Sequence, residues 1–185
     1  MSLTPSNMVP LGSLAPDFTL PDAQGTVFKR DDLVMSKGLL IVFMCNHCPY
    51  VKLMKEALAD MGKKLQMLDI GMVGINANDV ASYPDDAPEQ MLRDVGSYGY
   101  TFPYLFDEDQ SVAKAYQAAC TPDFFLYDGR LHLIYRGQFD GARPGNGVPV
   151  TGEDLYAAVD AMINGKPVSA DQKPSMGCNI KWKQD

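Results

Sequence analysis

Apolar residues recur at Val51, Met54, Leu58, Met61, Leu65 and Leu68, and the gaps between them hold Lys52, Lys55, Glu56, Lys63 and Lys64. Steps of three and four put the apolar side chains on one face and the charges on the other, which predicts an amphipathic helix laid on a core. Pro49 stands at its start, where a missing N–H costs nothing, so Cys48 falls at or next to the N-cap. Just before it, Leu39 to Met44 is a continuous apolar run following Lys37-Gly38. A run of that length without alternation predicts a strand buried on both faces of a sheet.

Downstream, Met72 to Ile75 predicts a second buried strand, and Asn76 to Ala87 is polar and turn-rich. A helix is expected to open near Pro88, carrying Met91, Leu92 and Val95. Phe102 to Phe106 follows as a short strand, and Ser111 is placed to cap a helix running through Ala118. Phe124 to Tyr127 and Leu131 to Tyr135 flank Asp128-Gly129, a strong hairpin signal. A Gly- and Pro-rich loop, Gly137 to Val150, leads to a last helix with Thr151 and Asp154 as a weak capping box; it carries Leu155, Ala158, Val159 and Met162 and stops at Asn164-Gly165. Upstream, Leu14 to Val27 reads as an extended stretch with a turn at Asp22 to Gly25. Strands alternating with helices and closed by an antiparallel hairpin predict one α/β domain. The domain is expected over residues 12–165, with a flexible N-terminus over 1–11 and a C-terminal tail over 166–185 that has no clear period.

Composition narrows the function classes. A formal net charge of -7 at pH 7 argues against nucleic-acid partners, which require clustered Lys and Arg. Leu39 to Met44 is the longest strongly apolar run and is far too short to span a bilayer, and no basic amphipathic helix suits a membrane surface. No Lys or Arg precedes Lys29 and no apolar signal core is present, so a cytoplasmic location is expected. Thiols are kept reduced there, and the four cysteines then read as redox groups, metal ligands or core residues rather than a permanent disulfide framework.

The chemistry concentrates at Cys45-Asn46-His47-Cys48, between the buried strand and the long helix. Only a thiolate is a nucleophile, and a helix N-terminus favours it through its dipole and unpaired N–H groups. A thiol three residues away can then resolve a mixed disulfide. His47, if protonated, favours the thiolate further; otherwise it is a loop residue without a role. A zinc site built from Cys45, His47 and Cys48 with Cys120 or Cys178 is the rival, although Cys120 and Cys178 stand alone rather than as a second paired knuckle. His132 lies in the hairpin as a structural residue.

The strand, Cys-x-x-Cys and helix, with Thr121-Pro122 just before a hairpin, resemble the thioredoxin-fold superfamily. Ala15-Pro16-Asp17-Phe18-Thr19-Leu20-Pro21-Asp22 and Phe102-Pro103-Tyr104-Leu105-Phe106-Asp107 are similar to its peroxiredoxin and thioredoxin-like reductase branch. Within that branch, Cys45-Asn46-His47-Cys48-Pro49-Tyr50-Val51 and the ending Gly177-Cys178-Asn179-Ile180-Lys181-Trp182 are similar to a peroxiredoxin-like subgroup. The resemblance runs from about Gly12 to Gly165. It implies a thioredoxin-like fold with an N-terminal extension and a central helix–strand insertion, and a cis Pro122 whose loop faces the active-site sulfur. By the same resemblance Pro122 shapes a substrate groove and keeps metals off the thiols.

Aligning strand and helix without a gap puts Cys48 at the thioredoxin nucleophile position, with Cys45 as resolving thiol; the alternative makes Cys45 the attacker. The main expectation is an enzyme, a thiol–disulfide oxidoreductase cycling Cys45 and Cys48 on protein or small-molecule disulfides, without a cofactor. The second is an antioxidant thiol peroxidase with Cys48 peroxidatic and Cys45, Cys120 or Cys178 resolving. Against it, peroxiredoxins have threonine or serine where this chain has Cys45 and proline where it has Ile41. Their peroxide-holding arginine also has no counterpart near Pro122, leaving Arg136 or Arg143 to substitute. A third expectation is a non-catalytic binding protein that keeps the fold. Cys120 is either a third redox thiol or a buried small residue, and Cys178 a further candidate for exchange.

Overall fold

A computed structural model describes residues 3–184. Its centre is a five-stranded sheet. In chain order the elements are β1 (Leu3–Pro5), β2 (Thr19–Pro21), β3 (Val27–Lys29), α1 (Arg30–Leu33), β4 (Gly38–Phe43), α2 (Pro49–Met67) and β5 (Ile70–Asn76). A 3₁₀ turn (Pro84–Asp86) precedes α3 (Pro88–Tyr98), β6 (Tyr104–Phe106), α4 (Ser111–Ala115), β7 (Cys120–Thr121), β8 (Asp123–Asp128), β9 (Leu133–Gly137), α5 (Glu153–Ile163) and β10 (Met176–Asn179). The central sheet runs β6-β5-β4-β8-β9, with β4 parallel to β5 and antiparallel to β8. This is the α/β architecture expected from the strand and helix order and the thioredoxin-like fold that the resemblance implies.

The missing alternation in Leu39 to Met44 has a direct explanation. Leu40, Val42 and Met44 pack with Val51, Met54 and Leu58 of α2 and with Leu155 and Val159 of α5. Leu39, Ile41 and Phe43 pack on the other face with Val112, Ala113 and Tyr116 around α4. Both faces of β4 are covered, so every position must be apolar. No helix of the described residues is long and apolar enough to cross a membrane.

Several boundaries differ from the sequence expectation for identifiable reasons. The helix at Ser111 ends at Ala115 rather than Ala118, and Gln117 takes a positive φ of 53°. Tyr116 is drawn inward, its hydroxyl donating to the Pro16 carbonyl (2.6 Å) and its ring packing on Phe43 (5.6 Å). The first turn of α4 is capped by Asp107, whose carboxylate accepts from Ala113 N (2.7 Å) and Val112 N (3.3 Å), not by Ser111. The capping box at Thr151 does not form either. Asp140 Oδ2 accepts from Thr151 N and Gly152 N, both at 2.7 Å, and α5 starts at Glu153. β9 begins at Leu133 because Leu131 is used in the turn with φ 64°.

The two chain ends are built into a sheet of their own. β10 pairs antiparallel with β1 on one side and β7 on the other. The segments expected outside residues 12–165 thus each contribute a strand. Farther along, Lys181 N donates to Asn78 Oδ1 (2.8 Å) and Ile180 is buried in the core. Short pairings whose partners lie far away in the chain leave no periodicity in the local sequence.

Candidate active site

β4 ends at Phe43, and the four-residue motif turns the chain into α2. Cys48 is the N-cap, with β-region dihedrals (φ -63°, ψ 125°), and its carbonyl accepts the first helical bond from Lys52 N (2.9 Å). Pro49 occupies the first helical position, as its fixed φ favours. The helix N-terminus is therefore aimed at the Cys48 sulfur.

Two loops close over this sulfur. Thr121, before the cis Thr121–Pro122 bond, places its carbonyl oxygen 3.2 Å from Cys48 Sγ and its hydroxyl 3.3 Å from Cys45 Sγ. From β10, Cys178 brings its sulfur to 2.8 Å from Cys48 Sγ. Cys45 and Cys48 are fully buried and Cys178 is 4% exposed. Cys120 lies on β7 with its sulfur 3.6 Å from the Pro122 carbonyl. Of the sequence candidates, Cys45, Cys48, Cys178 and Pro122 converge, with His47 beside them. His132 sits on the hairpin, 3.7 Å from Asp128.

The thiols are electrostatically unequal. A hydrogen bond from the Cys45 thiol, opposed by burial and reinforced by Cys178 and the Val51 N–H, lowers Cys48 to about 5. The same bond pushes Cys45 upward, and burial and the Asp86 charge add to it. Burial first, then the Cys48 sulfur, pushes Cys178 up to about 12. Burial also raises Cys120 far above an ordinary thiol. The shifts favour the thiolate at Cys48 and the protonated thiol at its three neighbours.

The loop between the two thiols is held by a residue the sequence reading did not single out. Asp86 is fully buried, and its Oδ1 accepts from Asn46 N (2.8 Å) and His47 N (3.1 Å). Its Oδ2 lies 2.6 Å from His47 Nδ1 and accepts from Asn78 Nδ2 (2.8 Å). Burial opposes ionisation of this carboxyl, but the bonds from His47 and Asn78 outweigh it and hold it below the usual range. The ring of His47 stacks on Tyr83 (centroids 5.4 Å, 12° between planes). Asn46 Oδ1 accepts from the Tyr104 hydroxyl (2.9 Å). Asp86 sits at the end of a polar stretch with no period. The only available signal was a long aperiodic segment inside a compact domain, which often carries function.

Cys45, His47 and Asp86 bring potential ligand atoms within 4.8 Å of one another. Both Asp86 oxygens and His47 Nδ1 are committed to the loop clamp, so a cation bound there would have to displace those bonds. Arg136 donates to the Val9 carbonyl and Gln172, and Arg143 to the Asp140 and Ala142 carbonyls and Gln138. Both guanidinium groups are engaged in loop contacts.

Residues 11–136 match the AhpC/TSA family. The chain belongs to this family. Among curated relatives, the thiol-disulfide oxidoreductase ResA of Geobacillus thermodenitrificans is 27% identical over 143 residues, covering 72% of this chain and 74% of ResA. Among solved structures, a hypothetical protein of Sinorhizobium meliloti is 52% identical with a TM-score of 0.96, covering 98% of this chain and 100% of that one. The thioredoxin domain of a Bacteroides vulgatus thiol-disulfide oxidoreductase, 18% identical, superposes with a TM-score of 0.64 over 84% of this chain and 99% of its own, and shares the fold. An oxidoreductase of the thioredoxin type is thus the family setting of this AhpC/TSA chain.

Two outcomes follow from the site. The ultraviolet absorbance of a single thiolate should appear as pH rises through about 5 and be missing from Cys48→Ser; a first thiolate titrating near 8–9, as in an unperturbed cysteine, would contradict the asymmetry. Asp86→Asn should lower stability by about 2–3 kcal/mol in urea unfolding, because a buried charged acceptor is lost to several N–H donors at once.

Proposed function

We propose that this AhpC/TSA chain is a thiol–disulfide oxidoreductase in which Cys48 attacks and Cys45 resolves. The observation that carries the reading is Cys48 at the N-cap of α2 with Cys45 three residues before it and Thr121 against both sulfurs, and the shift of Cys48 to about 5 agrees with it. The Cys48 thiolate attacks one sulfur of a substrate disulfide. The substrate S–S bond breaks, its departing thiolate takes up a proton, and a mixed disulfide remains on Cys48. Cys45 then loses its proton and attacks Cys48 Sγ, forming the Cys45–Cys48 disulfide and releasing the second substrate thiol. Two electrons pass to the substrate, and a dithiol reductant returns the enzyme to its starting state. Protein or small-molecule disulfides are the substrate class, and a reducing compartment such as the cytoplasm would keep the enzyme in its dithiol form.

In this mechanism Asp86 and His47 act on the loop rather than on the substrate. The clamp fixes Asn46 and His47, and the Cys48 sulfur, with burial and then the Asp86 charge adding to it, keeps Cys45 protonated until the mixed disulfide has consumed the Cys48 thiolate. Pro122, beside Thr121, shapes the groove in which the substrate sulfur approaches. Peroxide chemistry is less well served, since Arg136 and Arg143 both donate to loop partners and neither bonds to a site sulfur.

The test is a comparison of oxidants. The reduced protein is treated separately with a disulfide-bridged peptide and with hydrogen peroxide, and its thiols are mapped by alkylation and mass spectrometry. The expected result is a Cys45–Cys48 disulfide formed readily with the peptide, together with insulin reduction in the presence of dithiothreitol that falls to the uncatalysed rate in Cys48→Ser. Fast consumption of peroxide with sulfenic acid on Cys48, and little reaction with the disulfide, would replace this reading with a thiol peroxidase.

A further inference from the structure

Resolution by Cys45 leaves one feature of the site unused. The sulfur at 2.8 Å from Cys48 Sγ belongs to Cys178, a residue 130 positions away on the C-terminal strand. That position is built rather than incidental. β10 is held on β7 by the pairing of Cys178 with Thr121 and of Asn179 with Cys120, and on β1 by the pairing of Leu3 with Cys178. Ser175 Oγ donates to the Pro122 carbonyl (2.6 Å), and Ser175 and Ser6 exchange two further bonds at 2.8 and 2.9 Å. Gly177 permits the approach: a Cβ there would stand 2.1 Å from the Thr121 carbonyl oxygen, closer than any side chain can lie to backbone. Beyond the strand, Lys181 N donates to Asn78 Oδ1, and Asn78 in turn donates to Asp86. The C-terminal segment is thereby tied to the loop that carries Cys45.

We propose that Cys178 is a second resolving thiol, so that Cys48 is the centre of a three-thiol relay and the oxidised protein partitions between a Cys45–Cys48 and a Cys48–Cys178 disulfide. This rests on the oxidoreductase reading above and deepens it. After the substrate has left Cys48 as a mixed disulfide, the Cys178 thiol gives its proton to the departing substrate thiolate and attacks Cys48 Sγ. The bond from Cys48 to the substrate breaks and the Cys48–Cys178 bond forms. Cys45 can then attack Cys48 Sγ in the same way, transferring the bond to Cys45–Cys48 and returning Cys178 to the thiol. The second step is an internal exchange that needs no oxidant or reductant. The Cys48–Cys178 bond also fastens β10 across the buried sulfurs, so the relay decides whether the strand over the site is locked or released.

The experiment uses oxidised glutathione as the probe on wild type, Cys45→Ser, Cys45→Ser/Cys178→Ser and Cys45→Ser/Gly177→Ala, with acid quench and peptide mapping. Cys45→Ser should pass through a glutathione adduct on Cys48 to a Cys48–Cys178 disulfide, with loss of the adduct. The adduct should persist in Cys45→Ser/Cys178→Ser. Gly177→Ala keeps the thiol but pushes the strand away from Thr121, and should slow that loss. Persistence of the adduct in Cys45→Ser itself, while the wild type forms Cys45–Cys48, would overturn the relay and leave the oxidoreductase reading standing. Absence of both the adduct and any disulfide in the wild type would overturn both.

Discussion

The site depends on one constraint, the delivery of the Cys48 sulfur to the start of α2 beneath the Thr121 carbonyl. β4 is buried on both faces and cannot shift register without exposing apolar side chains, so the chain leaves the sheet at a fixed point. Pro49 then fixes where the helix begins, and Cys48 falls on the cap. From that position the sulfur faces the unpaired N–H groups of the first turn, and the neighbouring loops have only to supply partners. Thr121 faces two sulfurs at once, its hydroxyl bonded to Cys45 and its carbonyl accepting from Cys48 only while that thiol is protonated.

A buried sulfur of lowered pKa needs rigid surroundings, and Asp86 provides them by an electrostatic route. A desolvated carboxylate is costly, and here the cost is offset by donors from Asn46, His47 and Asn78. Cys45 is raised chiefly by its bond to Cys48 and by burial, and the same charge adds to that rise. One residue therefore shapes the loop and adds to the difference in acidity between the two thiols. The link from Asn78 to Lys181 extends this network to the C-terminal strand, so the three sulfurs are positioned by a single connected set of hydrogen bonds.

Much of this was legible in the sequence, because strong periodicity reports elements that bury a continuous face. The strand over Leu39 to Met44, the helix from Pro49 and the placement of Cys45 and Cys48 between them needed only local patterns. So did the hairpin around Asp128-Gly129. What escaped was long-range. Asp107 and Asp140 cap helices from outside them, which no local capping motif records. β1 and β10 are too short to show alternation and gain their identity from each other and from β7. Asp86 looked like one more acidic residue in a polar stretch, and its role depends on a fold that brings it beneath Asn46. Cys178 could be noticed as a thiol, but its distance from Cys48 is a property of the strand pairing.

The central claim, that Cys48 is the attacking sulfur, is tested most directly by trapping the mixed disulfide in a protein where it cannot be resolved. In a Cys45→Ser/Cys178→Ser variant challenged with a disulfide-bridged peptide, tandem mass spectrometry identifies the cysteine that carries the adduct. The account predicts a single stable adduct on Cys48, formed faster as pH rises through about 5 and constant in rate above it. An adduct on Cys120, or no adduct while Cys45 in the wild type reacts at full rate, would contradict it.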